Sequence, residues 1–263
     1  MIKRLVVSFA ILFMFSAPSY AAGTSPFPPG GMSADARFKN ALNLYMSGSF
    51  SAAEDAFEEY LKESPDGLRA NDSLYWLGKC QELKGQYGEA EILLRRAAGN
   101  FPTGGIAASI RFELAYCLYC PGNPKRDLSA AFREFMKIPS IFAADGKDGQ
   151  TGDAARAAIP QALYYAAKCL MDMKDYAQAD EILARIGREF PNSPYAAPAL
   201  YCLGMANLAQ GNTPGALAAF RGMLAGYPAG LYSDKAAAET GLIERGVKSG
   251  SVAKDSVNIK AAP

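Results

Sequence analysis

A 37-residue spacing constrains this chain more than any other feature. Gly48, Phe50, Ala53, Phe57 and Pro65 stand 37 residues before Gly85, Tyr87, Ala90, Leu94 and Pro102. Far downstream, Tyr176, Ala179, Leu183 and Pro191 stand 37 before Thr213, Ala216, Phe220 and Pro228. Two separate pairs with one period make chance a poor explanation. A period of this length belongs to a supersecondary unit that cannot bury its apolar face alone and must stack on copies of itself.

The unit reads as a helical hairpin. Over residues 74–102, Leu74, Leu77, Gly78, Cys80 and Leu83 follow a helical period, Gly85 breaks the run, and Tyr87, Ala90, Leu93, Leu94 and Ala97 begin a second one that Pro102 closes. Leu200, Leu203 and Gly204 repeat Leu74, Leu77 and Gly78 with the same offsets to their turn. Extended along the chain, the pattern predicts about five hairpins. The first opens at Ser33, a helix cap with Ala36 in the first turn, and carries Phe38, Ala41, Leu42 and Tyr45 up to Gly48. The third is irregular: Gly122 falls 37 after Gly85, but Leu128, Ala131, Phe135 and Ile138 match the template only with four residues inserted, so residues 121–124 form a longer turn. Residues 139–155 interrupt the period, and the reading is an inserted flexible loop. Asp145, Asp148 and Asp153 within it do not have the spacing of an EF-hand calcium loop. The fourth and fifth hairpins end at Pro191 and Pro228. A last amphipathic segment with Ala236, Ala237, Leu242 and Ile243 caps the stack, and residues 248–263 read as a disordered tail.

Ahead of the repeats, residues 1–21 have the plan of a secretory signal. Lys3 and Arg4 precede an apolar run over 5–15 broken only by Ser8, and Ser19 and Ala21, either side of Tyr20, offer small residues at the two positions a signal peptidase needs. No cysteine lies near that point, so no lipid anchor is expected, and the cleaved chain is expected in the periplasm without insertion into the membrane. Residues 22–32, rich in Pro and Gly, are a flexible lead-in to a repeat domain over 33–247. Losing Lys3 and Arg4 changes 27 basic against 26 acidic residues to 25 against 26. A neutral chain argues against nucleic acid as a partner, since such affinity depends on excess Lys and Arg.

The Leu-x-x-Leu-Gly opening, the Gly-x-Tyr turn, the central Ala, the large residue four later and the closing Pro resemble tetratricopeptide repeats, here in Leu74, Leu77, Gly78, Gly85, Tyr87, Ala90, Leu94, Ala97 and Pro102. The resemblance implies an all-α, right-handed superhelix of about five hairpins plus a C-terminal capping helix. The 37-residue spacing and the sequence leading through Asn192, Ser193, Pro194 and Tyr195 are further similar to periplasmic repeat proteins of Gram-negative envelopes. Among these are the cell-division coordinator of the Tol-Pal system and, less closely, the repeat lipoprotein of the outer-membrane β-barrel assembly machine. The chain lacks the lipid-bearing cysteine of the second and the heptad-patterned N-terminal coiled coil of the first.

By that resemblance the first helix of each hairpin lines a concave groove. One column is aromatic in all five copies, ten residues before each turn residue: Phe38, Tyr75, Phe112, Tyr164 and Tyr201. One helical turn on, the same face carries Leu42, Lys79, Tyr116, Lys168 and Met205. Aromatic residues at helical spacing are more often core than site, yet tyrosine suits interfaces through its rigid area and hydroxyl. We take Phe38, Tyr75, Phe112, Tyr116, Tyr164, Tyr201, Lys79, Lys168 and Met205 as the candidate partner-binding set.

Chemistry is sparse. The chain contains no histidine, which removes Ser-His-Asp and Cys-His nucleophiles and most zinc sites, and no phosphate-binding Gly-rich loop is present. Neither cofactor nor catalytic residue is expected. Cys117 and Cys120 have redox spacing but end a helix where the thioredoxin motif opens one. Structural thiols or a stabilising disulfide suit Cys80, Cys117, Cys120, Cys169 and Cys202 better in an oxidising compartment, a Cys80–Cys117 bridge being one arrangement. The sequence therefore reads as a non-enzymatic periplasmic scaffold that holds a protein or peptide partner of the cell envelope. A subunit of an outer-membrane assembly, secretion or polymer-export machine is the alternative, and a thiol-active enzyme a third reading.

Overall fold

A computed structural model describes residues 32–100, 106–145 and 152–246, apart from the side chains of 143–145 and 152–156. The signal-like segment 1–21, all but Met32 of the lead-in, the closing Pro102 and the tail 248–263 lie outside them. Among the described residues there are eleven helices and no strand. They are α1 (Ala34–Met46), α2 (Phe50–Glu63), α3 (Ala70–Leu83), α4 (Tyr87–Asn100), α5 (Ala107–Tyr119), α6 (Leu128–Asp145), α7 (Gly152–Asp172), α8 (Tyr176–Glu189), α9 (Ala196–Ala209), α10 (Thr213–Gly226) and α11 (Leu231–Glu244). None of these helices is long and apolar enough to cross a membrane.

Four of the five hairpin turns use one backbone device. At the end of α1, Ser49 N donates to Leu44 O and Gly48 N to Tyr45 O, both at 3.0 Å. The same pair of bonds recurs as Gln86 to Gln81 with Gly85 to Glu82, Asp175 to Leu170 with Lys174 to Met171, and Asn212 to Asn207 with Gly211 to Leu208. This Schellman closure satisfies the last carbonyls of the helix and requires a left-handed residue. Gly48, Gly85 and Gly211 supply φ of 81°, 78° and 76°, and Lys174 takes the slot at 64° without the freedom of glycine. The next helix is then capped in two of the four cases, by Asp175 Oδ1 accepting from Gln178 N and by Asn212 Oδ1 accepting from Gly215 N. Ser33 caps α1 by accepting from Ala36 N at 3.3 Å, as its sequence position predicts.

The third turn departs from this plan. Gly122 does not have positive φ, so its alignment with Gly85 does not carry over to conformation. α5 instead ends in a longer turn whose side chains do the capping. Asn123 Nδ2 donates to Cys117 O at 2.8 Å, Arg126 Nε donates to Tyr119 O at 2.7 Å, and Asp127 Oδ1 accepts from Ala130 N at 2.8 Å to start α6. Gly122 serves packing: a Cβ there would lie 3.2 Å from the Tyr87 ring.

The loop expected over 139–155 is mostly helix. α6 continues through Pro139 to Asp145 and α7 begins at Gly152, leaving 146–151 outside the described residues. Proline costs a helix one hydrogen bond, but Phe135, Ile138 and Ile141 continue a buried stripe across it. Burying each such side chain contributes roughly 1.5–3 kcal/mol, enough to offset that loss.

Each helix packs on the next along the chain, and beyond that α1 touches α3, α3 touches α5, and so on to α9 and α11. Even-numbered helices make no comparable contacts with one another among the described residues. The odd helices therefore form the inner, shorter wall of a curved stack and the even ones the outer wall. Buried residues of one inner helix divide between its two neighbours: on α3, Leu77 and Cys80 join the cluster of Phe38, Phe57 and Tyr60, while Leu74 joins that of Leu94, Ile110 and Leu114. Close crossing within a hairpin depends on glycine. A Cβ on Gly78 would lie 2.9 Å from Leu94 Cγ, and one on Gly204 would lie 2.3 Å from Phe220 Cε1. α11 covers the end of the stack, but with Ser233, Ala236, Glu239 and Thr240; Ala237, expected on the buried face, is exposed.

Candidate functional site

The inner wall carries all the residues singled out from the sequence, and the structure sorts them by depth. Phe38 is buried against the rings of Phe57 and Tyr60, at 6.0 and 6.2 Å, with the Arg69 guanidinium 5.4 Å from its centroid. Tyr201 is buried between Phe220 and Tyr232, at 5.8 and 5.7 Å. Tyr164 is buried against Tyr165 and Tyr195, at 5.6 and 5.5 Å. These three members of the aromatic column are buried in the packing between helices. Tyr75 and Phe112 are half-buried and remain on the wall.

The neighbouring register is more uniform. Leu42, Lys79, Tyr116, Lys168 and Met205 are all half-buried, one from each of α1, α3, α5, α7 and α9. The side chain of a helical residue covers the turn before its own Cα, so the deeper column and this one cover successive turns of the same inner helices. Tyr116 is at its centre, with Phe112 at 6.3 Å, Tyr119 at 6.4 Å and Tyr165 at 5.7 Å. At the α3 end Tyr75 stands edge-on to Trp76 at 5.0 Å, and Trp76 leans on Tyr45 at 4.8 Å.

A charged group that the sequence reading did not assemble lies between these aromatic clusters. Lys79 Nζ is 2.8 Å from Glu113 Oε1 on α5 and 3.3 Å from Glu82 Oε2 on its own helix, and the three side chains are only 12–14% exposed. Burial pulls the Lys79 ammonium down, but Glu113 and Glu82 outweigh it and hold its pKa well above the ordinary lysine value. The Glu82 carboxyl is pushed up to about 8, chiefly by burial and then by Glu113, with Lys79 pulling against them. Glu113 adjoins the Phe112 column, and its distance to Lys79 exists only once α3 and α5 are side by side. The sequence carried no other signal for it.

The cysteines form no bridge. All five are free and buried. Cys80 packs in the cluster between α1, α2 and α3, and Cys117 in the next one, so equivalent slots in successive repeats point into different gaps. Burial pushes the Cys80 and Cys169 thiols up to about 12 and raises those of Cys117 and Cys202 as well, the opposite of what activates a nucleophile. Among the described residues no three of His, Cys, Asp and Glu come together as a metal site would require.

Comparison with known proteins agrees with this geometry. Residues 34–105 and 161–193 each match a family profile described as tetratricopeptide repeat. Solved structures give the same answer over most of the chain. YrrB, described as a tetratricopeptide protein with an unusual peptide-binding site, superposes with a TM-score of 0.57 at 16% identity, over 78% of this chain and 91% of that one. The fold is a tetratricopeptide-repeat superhelix. A tetratricopeptide repeat protein from Parabacteroides merdae reaches 0.62 at 15% identity, covering 82% of this chain and 75% of its own, and MamA 0.59 at 17% identity, covering 75% and 97%. No curated protein matches the sequence. In this superhelix the half-buried line from Leu42 to Met205 lies on the inner helices, with five repeats contributing one residue each.

Proposed function

We propose that the chain is a non-enzymatic scaffold that binds a protein or peptide partner along its concave wall, in the bacterial envelope. The observation that carries the reading is the half-buried line Leu42, Lys79, Tyr116, Lys168 and Met205 on five successive inner helices, flanked by Tyr75 and Phe112. Such a surface offers a rigid aromatic platform with a methionine that adapts to its contact and few charges to desolvate. The peptide-binding site named for YrrB is a property of that protein and supports the reading by fold alone. The envelope location rests on the signal-like residues 1–21, and the likeness to the Tol-Pal coordinator rests on the spacing and turn residues of the repeats.

A photo-crosslinking amino acid placed at Tyr116 in cells tests the groove against the same label at Ile92, which is 64% exposed on the outer helix α4. A defined adduct from Tyr116 and none from Ile92 is expected, and mass spectrometry of that adduct names the partner and its process. Equal capture from both faces, or none from Tyr116, removes the groove as the binding surface. The N-terminus of the protein recovered from the periplasmic fraction is expected at Ala22; recovery only from the cytosol with Met1 intact refutes the location.

A further inference from the structure

Among the described residues the stack ends on an inner helix with no outer helix after it. α11 packs on α10 and α9 and buries Ser233, Ala236, Glu239 and Thr240. Its opposite stripe is uncovered: Asp234, Ala238 and Arg245 are exposed, Gly241 is half-buried, and Leu231, 56% exposed, extends the line toward the start of the helix. Gly241 stands 37 residues after Gly204 and so occupies the slot at which an outer helix crosses an inner one. In that slot Gly204 meets Phe220 of α10, and Gly78 meets Leu94 of α4. At Gly241 the nearest atoms to an added Cβ belong to the guanidinium of Arg245 on the same helix, at 3.3–3.8 Å. The face has the form on which a helix lies elsewhere in the stack, and no described helix lies there.

The order of residues on that stripe points to which helix it takes. Asp234, Ala238, Gly241 and Arg245 are separated by four, three and four positions, a spacing that reads the same in both directions. When a second α11 is turned end for end about the point between Glu239 and Thr240, Asp234 of each copy faces Arg245 of the other, and Ala238 faces Gly241. The flanking positions match as well. Lys235 faces Glu244, an exposed carboxylate that Arg221 of its own copy also reaches, and the small, exposed Ala237 faces the half-buried Leu242. Small residues therefore lie at the centre, where two helix axes approach to about 8 Å, and opposite charges lie at both ends. Other arrangements lose this match. A parallel pairing sets Asp234 on Asp234 and Arg245 on Arg245, and a slide of one turn brings Asp234 against Gly241 and removes both charge pairs.

We propose that α11 docks on α11 of a second copy of this chain, antiparallel about a two-fold axis that passes between Glu239 and Thr240. An isologous contact of this kind uses one patch on both copies and closes at two, so it forms a dimer and not a filament. The second copy supplies the crossing helix that the last inner helix lacks. None of the half-buried residues from Leu42 to Met205 lies on α11, so each copy keeps its own inner line and the dimer carries two.

Sedimentation velocity of the chain from Ala22 to Pro263 at micromolar concentration is expected to show a dimer. Asp234→Arg and Arg245→Asp each set like charges against one another at both ends of the contact, and each is expected to raise the dissociation constant about a hundredfold. The double variant Asp234→Arg, Arg245→Asp restores opposite charges across the axis and is expected to dimerise as wild type does, a rescue that an effect on folding would not produce. Mixing the two single variants is expected to give a heterodimer for the same reason. A monomeric wild type overturns the proposal, and if it dimerises only after residues 248–263 are removed, the tail is what covers α11. A dimer unchanged in single variants with normal melting curves, or a double variant no better than the singles, overturns it equally.

Discussion

Lys79 Nζ lies 2.8 Å from Glu113 Oε1, a buried ion pair that ties α3 to α5 on the groove side of the superhelix. Glu82 shares the same ammonium at 3.3 Å. Removing the cation leaves two carboxyls facing each other out of water, which is where such pairs show their cost. Lys79→Met is expected to destabilise the fold by about 3 kcal/mol, read as a lower urea midpoint. Combining it with Glu113→Gln should recover most of the loss. If Lys79→Met alone leaves the midpoint unchanged, the pair does not hold the repeats together.

Glu82 makes stability depend on pH in an unusual direction for a carboxylate. Its folded pKa of about 8 stands above the ordinary value of 4.5, so the folded state keeps a proton that the unfolded chain releases. The contribution is complete below the unfolded value and is lost as pH rises through the folded one. The melting temperature is therefore expected to fall between about pH 5 and pH 8, and Glu82→Gln to flatten the dependence and stabilise the protein at the alkaline end. A wild-type melting temperature that rises across that window would contradict the assignment.

The two crossing glycines are expected to differ in cost. A methyl on Gly204 meets three atoms of the Phe220 ring, Cε1, Cδ1 and Cζ, at 2.3, 2.6 and 2.6 Å, and Phe220 is fully buried. On Gly78 it meets Leu94 Cγ at 2.9 Å, a branched side chain with more ways to move. Gly204→Ala should cost about 2–3 kcal/mol and Gly78→Ala less, measured by thermal melts of the two variants. The reverse order would mean that α10 shifts more readily than α4.

Lys174 occupies a left-handed slot that its counterparts fill with glycine. Its φ of 64° matches the 76–81° of Gly48, Gly85 and Gly211, and it carries the same pair of closing hydrogen bonds. Lys174→Gly is expected to raise stability by about 0.5–1 kcal/mol, the steric relief at Cβ being partly offset by the entropy of the unfolded chain. A loss of stability would mean that the lysine stem contributes packing that outweighs its strain.

How far the sequence reached differs from one residue to the next. Ser33, Gly48 and Gly85 were legible because helix caps and closures are local, satisfied by bonds within a few residues. Gly122 misled, since a one-residue alignment cannot show that Asn123 and Arg126 cap α5 with their side chains. Pro139 misled as well: its local cost is readable, but the burial of Ile138 and Ile141 that outweighs it is not.

For the candidate groove, periodicity placed Tyr75, Phe112, Tyr116, Lys79, Lys168 and Met205 on one face of the first helices, because position along a helix follows from residue number, and the resemblance to tetratricopeptide repeats alone made that face a groove wall. Depth does not follow from number. Whether Phe38, Tyr164 and Tyr201 face a partner or a neighbouring helix depends on how closely successive hairpins approach, and that distance is set by packing across the stack. The buried charge cluster has the same origin. Lys79 meets Glu113 only when α3 and α5, tens of residues apart, lie side by side. The chain by itself determined the repeat, the all-α hairpins and the residues that share a helix face, through interactions between residues close in sequence. The tertiary structure alone decided which of those residues are buried and which charges are compensated, because both depend on distances between separate repeats.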